Sequence, residues 1–531
     1  MEIRKIEITA AKINFVISQF RNFMFLNFQF RNFPISVFLS LVFSLFLLLP
    51  ALNSTENVPI PLGHWSYDII EYFSAEKILS VDLQAKPITR KAVRLALDEI
   101  QGKYVNDELD IDKVENELLA SLYEEFSLVP IRNLRNVPKT IYSTDFLSLR
   151  EESKTGIEII RRKDNWDYEV AFQTYFWANL GKHISFAEEI NLRKDNFSEP
   201  AVTPGTRKWK NIAGTTPYAL FNLSFPHIEI NAGRTTNWLG PGRFGTLLLS
   251  NNYPFFDQIN AALEIGKFKF SSFFIVVNID SMKFLAGHRA ELKEIYGITL
   301  GFNEFVLFSG RIEPGYLNPL LVLYGEQYNR GDRDNIMWSF DLSLGFLGKN
   351  KLYTELLVDD YQYESTPPAP NKIASIIGLQ IAEPFALPRF DLCCEYTRIA
   401  KWVYTHKYPE NTYSNYRTCL GHHLGPDGDV IDITLKQFLR WNVIPQVHFG
   451  YVRKGEGNLR NTWQKDTDPH PSLPSGIVES TILFEATVFL KPFRSSEYIL
   501  GWETYRTENL HNIRDWMEQD NEFYIKISLT F

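Results

Sequence analysis

Cysteine is nearly absent from this chain: Cys393, Cys394 and Cys419 are the three in 531 residues. That number builds no disulfide framework, and the adjacent pair in a strand points to opposite faces, which keeps the two sulfurs from bonding. An excess of one charge sign is lacking too. A net charge of −8 with both signs dispersed argues against a nucleic-acid partner. Catalytic signatures are missing: no Gly-x-Ser-x-Gly elbow, His-Glu-x-x-His pair or phosphate loop occurs. Asp359 and Asp360 are neighbours in a strand pattern, so they face apart and cannot flank a bond as acid and base. The expectation is therefore no enzyme and no cofactor. Cys419, His422 and His423 lack the fourth ligand of structural zinc, and no metal is expected.

Long apolar runs are absent as well, with one exception. Residues 35–52 read ISVFLSLVFSLFLLLPAL, after Arg4, Lys5, Arg21 and Arg31 and before Asn53-Ser54-Thr55. A basic region, an apolar core and a small-residue zone describe an export signal over residues 1–54. Its basic region is long, and a start at Met24 would leave a conventional signal. An N-terminal membrane anchor is the other reading, since the run is near the lower limit for spanning. Beyond it, no segment reaches spanning length as a helix.

What is abundant is aromatic: 41 Phe, 25 Tyr and 11 Trp. Over 59–130 the pattern is helical. Tyr67, Ile70, Phe73 and Ile78 share one spacing; Ala92, Leu95, Ala96 and Ile100 share another, with Thr89 placed to cap it. A third helix is expected over Val105–Phe126, with Leu118, Leu119 and Leu122 on one side. Such helices must pack on one another, which predicts a small periplasmic bundle. Residues 131–146 read as a linker.

From residue 147 to the end, at Phe531, the period becomes two. Phe523, Ile525, Ile527, Leu529 and Phe531 share one face of the last segment; Tyr524, Lys526, Ser528 and Thr530 share the other. About eighteen such segments of eight to twelve residues predict an antiparallel transmembrane β-barrel, closed so that no backbone group meets lipid unpaired. Examples are Glu169–Ala178, His183–Leu192, Asn335–Phe346, Leu352–Tyr361, Arg389–Arg398 and Ser480–Leu490. Short turns are expected at Asn179–Lys182, Gly301–Asn303, Leu347–Lys351, Trp441–Val443 and Pro492–Ser496. Long polar loops are expected at Arg193–Pro217, Thr235–Gln258, Ile312–Asp334, Lys401–Gly428, Lys454–Gly476 and Thr507–Asp520. That alternation puts every long loop at one end, as in outer-membrane barrels. Alternation also sends Asp391, Cys393 and Glu395 inward, and Phe390, Leu392, Cys394 and Tyr396 toward lipid. The terminal Phe531 resembles the final residue of strands read by the barrel-insertion machinery, which implies that machinery and outer-membrane lipid as partners.

The stretch Gly233-Arg-Thr-Thr-Asn-Trp-Leu-Gly-Pro-Gly-Arg-Phe-Gly-Thr-Leu-Leu-Leu-Ser-Asn-Asn252 resembles the signature of the capsule assembly protein family, Wzi. Gly287-His-Arg289, Glu304, Glu313-Pro-Gly-Tyr-Leu-Asn318, Glu355-Leu-Leu-Val-Asp-Asp360 and Leu420-Gly-His-His-Leu-Gly-Pro-Asp427 follow in the order of that family. The resemblance implies an eighteen-stranded outer-membrane barrel of a Gram-negative cell, with a periplasmic helical domain, that attaches or organises surface polysaccharide. Separately, Gly63–Ile70, Phe73–Leu79 and Pro87–Arg90 resemble one S-layer homology repeat, which implies a cell-wall partner; against that, Trp65 and Tyr67 at helical spacing read as core.

Candidate sites follow. Trp238, Gly240, Pro241, Gly242 and Arg243, with Asn251 and Asn252, form either a sugar-stacking loop or a tight loop folded into the barrel. His288, Arg289, Glu355 and Asp359 suit a paired lumen network, because buried charge must be compensated; a sugar-carboxylate or ion site is the sharper alternative. Tyr404, Tyr408, Tyr413 and Tyr416 offer flat faces for sugar rings. Three functions compete: a polysaccharide-anchoring barrel, a porin-like diffusion channel, and a structural tie between outer membrane and wall.

Overall fold

The computed structural model describes residues 57–126, 139–143, 147–162, 165–195, 208–331, 333–346, 348–362, 369–465 and 467–531. The signal segment and most of the linker lie outside them. Three helices come first: α1 (Ser66–Ala75), α2 (Arg90–Val105) and α3 (Lys113–Phe126). Thr89 does cap α2, its hydroxyl accepting from the Ala92 amide at 3.2 Å. The third helix begins later than expected because Asp107 turns the chain with φ +57°, a left-handed geometry that ends a helix.

Eighteen antiparallel strands close the wall. They are β1 (Leu147–Arg162), β2 (Asn165–Leu180), β3 (Ile184–Asp195), β4 (Ile212–Ser224), β5 (Ile228–Thr235), β6 (Phe256–Ile265), β7 (Phe268–Asn278), β8 (Lys283–Ile295) and β9 (Ile298–Ser309). Then come β10 (Asn335–Phe346), β11 (Asn350–Asp360), β12 (Lys372–Ala382), β13 (Phe390–Ile399), β14 (Gly428–Gln437), β15 (Val443–Lys454), β16 (Glu479–Phe493), β17 (Ser496–Glu508) and β18 (Met517–Thr530). Each pairs with the next, and β18 returns to β1 with Ile525 opposite Ile159. Residues 139–143, within the expected linker, form an extra short strand on β1 beyond the end of β18.

The long connections gather at one end of the barrel, which also carries the short turn 279–282. The turns 181–183, 225–227, 266–267, 296–297 and 494–495 are at one end; 236–255, 310–334, 400–427 and 455–478 are at the other. One expected turn is misplaced: Gly301–Asn303 lies inside β9, paired with β8 and β10. The reversal occurs at Tyr296-Gly297, both with positive φ. Alternation sets the faces as expected, with Asp391, Cys393 and Glu395 buried inside and Tyr396 exposed outside.

The helices pack on each other and on the barrel together. Tyr72, Phe73, Leu118 and Leu122 share a core with Ala382, Phe438 and Ile444, which lie at the short-turn end of the wall. Ion pairs stitch the rim: Arg440 to Glu117 at 3.0 Å, Arg389 to Asp112, Lys436 to Asp68 and Lys349 to Glu76. Among the described residues no helix is long and apolar enough to cross a membrane.

Candidate functional site

The lumen is entered from both ends. From the short-turn end comes the segment before α2: Pro59 accepts from the Tyr175 hydroxyl at 2.9 Å, and Asn57 donates to Asn222 at 3.1 Å. From the long-loop end comes segment 236–255. The two meet inside, where Ala85 and Lys86 pair with Leu239 and Trp238 in a short antiparallel ladder. Gly240 extends it, donating its amide to the Gln84 carbonyl at 2.8 Å. Gly240 has φ +142°, and a Cβ there would stand 2.6 Å from a Glu355 oxygen; one on Gly242 would stand 1.9 Å from the Gly245 carbonyl. Only glycine fits either place. The loop is thus folded into the barrel, with Trp238 buried and its indole donating to the Gly242 carbonyl at 3.2 Å.

Leu247, Leu248 and Leu249 then fill the outer half of the lumen against Ile275, Leu285, Leu307, Met337, Leu357, Ile376 and Val430. Burying three leucines is worth about 1.5–3 kcal/mol apiece, which is the driving force for insertion. The backbone polar groups carried in with them must be satisfied, and the wall supplies acceptors. Glu355 accepts from the Leu247 and Leu248 amides at 3.0 and 3.3 Å. Glu395 accepts from the Arg243 amide at 2.7 Å and from the Tyr353 hydroxyl at 2.8 Å.

Arg243 joins the three parts. Its guanidinium lies 2.7 Å from Glu71 of α1 and 3.8 Å from Asp391 of the wall, and Glu71 also holds Lys86 at 2.5 Å. Burial opposes the charge on Glu71, yet Arg243 and Lys86 hold its carboxyl down to about 2. Burial opposes the charge on Arg243 as well, and the facing Glu71 pushes its value above the ordinary one.

The four residues expected to share a lumen charge network have other partners instead. Arg289 pairs inside with Glu291 and Asp341, both at 2.7 Å. Glu355 and Asp359 hold inserted loops: Asp359 accepts from the Tyr404 amide at 2.5 Å. His288 is not in the lumen. It neighbours Arg289 in β8 and so faces the outer side, packed on Phe270 and opposite Glu304. Glu291 and Asp341 were legible by the alternation that exposed Glu355. Glu71 was not, because it reaches Arg243 from a separate element.

The tyrosines divide as well. Tyr404 and Tyr413 are both 0% exposed and stack at 5.9 Å between centroids, with the Tyr404 hydroxyl donating to the Leu247 carbonyl at 2.6 Å. They are core residues, not a platform. Tyr408 is half-buried, with Arg333 and Lys407 each 5.4 Å from its ring, and Tyr416 is exposed. Asn252 donates to the Cys419 carbonyl at 3.3 Å and also to that of Gly421, tying the two long loops together; Asn251 is exposed. His422 is buried, its Nδ1 accepting from the Leu424 amide at 3.2 Å. Where the lumen is not filled, a cavity of about 1090 Å³ remains between the helical segment and the wall, lined by Asn231, Asn260, Lys269 and Ser271.

The sequence model of the capsule assembly protein Wzi family matches residues 160–516. The chain belongs to this family. It is an outer-membrane β-barrel of Gram-negative type and not an enzyme. Among solved structures it is similar to Escherichia coli Wzi, described as a carbohydrate-binding β-barrel involved in group 1 capsule assembly. That likeness has a TM-score of 0.60 at 13% identity and covers 90% of this chain and 99% of the other. Pseudomonas aeruginosa OccD3 is more distant, with a TM-score of 0.44 at 9% identity over 74% of this chain and 93% of that one. No curated protein sequence matches. The family match begins after the helices, and the S-layer homology resemblance of residues 63–90 finds no support. Trp65 and Tyr67 are buried there, and the Tyr67 hydroxyl donates to the Ile60 carbonyl at 3.0 Å.

Proposed function

We propose that this Wzi-family barrel holds surface polysaccharide at its long-loop rim, for capsule or exopolysaccharide assembly, and does not pass solutes through its lumen. The observation that carries the reading is the meeting of the two inserts at Ala85–Lys86 and Trp238–Leu239. A barrel occupied from both ends, with leucines packed against the outer half of its wall, offers its rim and not its bore. The carbohydrate-binding description of the Escherichia coli protein and the family membership support the same ligand class here.

The rim surface we favour is Tyr408 with Arg333 and Lys407. A half-buried ring with two cations beside it suits an acidic sugar, whose carboxylate pairs with them while its apolar face meets the ring. The helices, at the short-turn end, would then be periplasmic.

The test compares cell-bound with released polymer in a deletion strain and in a strain carrying Tyr408→Ala with Arg333→Ala, at matched membrane level of the protein. The expected result is release in both. Loss of retention in the deletion alone would move the surface elsewhere on the rim. Unchanged retention in the deletion would overturn the function.

A further inference from the structure

Segment 310–331, which follows β9, folds onto the outside of the barrel. Register fixes the faces: Leu285, Phe305 and Leu307 point into the lumen core, so Phe284, Ala286, Val306 and Phe308 point outward. Yet these four are buried, clustered with Tyr316 and Leu323 of the segment. The segment, which includes the short helix Leu323–Asn329, covers the outer half of the wall there.

Its lower edge is held by Glu304, an outward carboxylate near the middle of β9. The Leu323 and Tyr324 amides donate to it at 3.0 and 3.1 Å, and the Trp338 indole at 3.3 Å. At membrane depth a lone carboxylate is expensive, and so are free backbone amides. Here each satisfies the other.

The exposed surface from Leu317 to Tyr328 is apolar apart from Asn318 and Gly325, and the flanking Arg311 and Arg330 both pair with Glu313. Leu317, Leu320, Leu321, Val322, Tyr324 and Tyr328 are all exposed, Leu320 to 88%. The pair Glu304–Trp338 is two residues along the strands from the pair Phe302–Phe340, whose rings belong to the exposed outer band of the wall. Because residues 323 and 324 reach Glu304, Leu320–Val322 lie beside that band and continue it. A loop bathed in water gains nothing from such a surface; one in hydrocarbon does.

We propose that segment 310–331 is a lipid-embedded flap that binds acyl chains of the outer leaflet, with Glu304 as its clasp. The proposal rests on the reading of the long-loop end as external. The strand ends that carry the flap, and Arg333 beside them, are also tied to the loop that carries Tyr408. Ser309 donates to the Glu410 carbonyl, Asn335 to the Asn411 carbonyl, and Asn411 to the Arg333 carbonyl, each at 3.0 Å. Lipid contact and polysaccharide contact thus share one framework.

The experiment uses the full chain refolded into phosphatidylcholine vesicles, with Cys394→Ser and a nitroxide on Leu320→Cys. References are labels on Ile525→Cys, on the lipid face of β18, and on Tyr416→Cys, on the rim. Collision rates with oxygen and with a water-soluble nickel chelate are measured. The expected result is nickel access at 320 equal to that at 525 and severalfold below that at 416. Adding Glu304→Gln should raise nickel access at 320 while the gel mobility of the folded barrel is kept. Nickel access at 320 equal to that at 416 would overturn the proposal. So would spin–spin broadening at 320 that dilution with unlabelled protein removes, since that would identify a second copy as the occupant. Nickel access at 525 itself would instead refute the membrane placement on which the proposal rests.

Discussion

Replacing Arg243 with alanine removes a side chain that joins the inserted loop to helix α1 and to the wall, through Glu71 at 2.7 Å and Asp391 at 3.8 Å. Removing one partner of a buried ion pair costs about 3–5 kcal/mol, because the other charge stays buried and alone. Neither carboxylate is left wholly alone here. Glu71 keeps Lys86 at 2.5 Å, and Asp391 keeps the Gln380 amide at 2.9 Å. The expected cost is therefore about 2–3 kcal/mol, or roughly 30- to 140-fold in the equilibrium between docked and released loop. Hydrogen exchange reads it directly at the Leu239 amide, bonded to Leu249, and the Gly240 amide, bonded to Gln84. Both should exchange faster by that factor, while strand amides such as those of β17 keep their rates. Adding Glu71→Gln should cost less than the two changes separately, since the second no longer strands a charge. Unchanged protection at Leu239 and Gly240, or strict additivity of the two variants, would refute the claim that this pair locks the inserts together.

Acid should act on the docked helices through three groups of α1 and its approach. Burial lowers His64 from 6.5 to about 4, so its contribution is complete above 6.5 and is lost as pH falls toward 4. Burial raises Glu76 from 4.5 to about 7, so its contribution is complete below 4.5 and is lost as pH rises toward 7. The two largely cancel between 4.5 and 6.5, and exchange of α1 amides, corrected for intrinsic rate, should be nearly flat there. Glu76→Gln should uncover the His64 loss, with protection falling from pH 6.5 to 4; a flat profile in that variant would contradict the assignment. Below 4.5 Glu71 adds a loss that continues toward about 2. At β18, Leu529→Asp should reduce barrel insertion by placing charge on the lipid face. Lys526→Gln should be tolerated, since its lumen-side partner Glu158 stays accessible to water. Equal loss at 526 and 529 would reverse the facing assignment.

Alternation by itself determined the barrel, because a strand's side chains have a period of two and each residue's face follows from its neighbours. The inward set of β13 and the outward set of β18 follow in that way, as does the inward direction of Glu355 and Asp359. The glycines of segment 233–252 marked a backbone that must turn tightly and approach something closely. What that something is came only from the closed wall: Glu355, Glu395 and Asp391 are more than a hundred residues from Arg243 in sequence, and Glu71 lies on the other side of it. Pairing between inserts from opposite ends is a contact between elements with no common period, so no local pattern encodes it. Tyr404 and Tyr413 show the same limit. In sequence they are aromatic residues of a long loop, and tertiary packing against Leu247 turned them from rim to core. His288 went the other way, since adjacency to Arg289 suggested one site while the strand sends the two side chains to opposite faces. Segment 310–331 shows where a polar-loop reading fails: its leucines have meaning only beside the outer wall, where burial of Phe284 and Phe308 and the carboxylate of Glu304 fix the segment against the barrel.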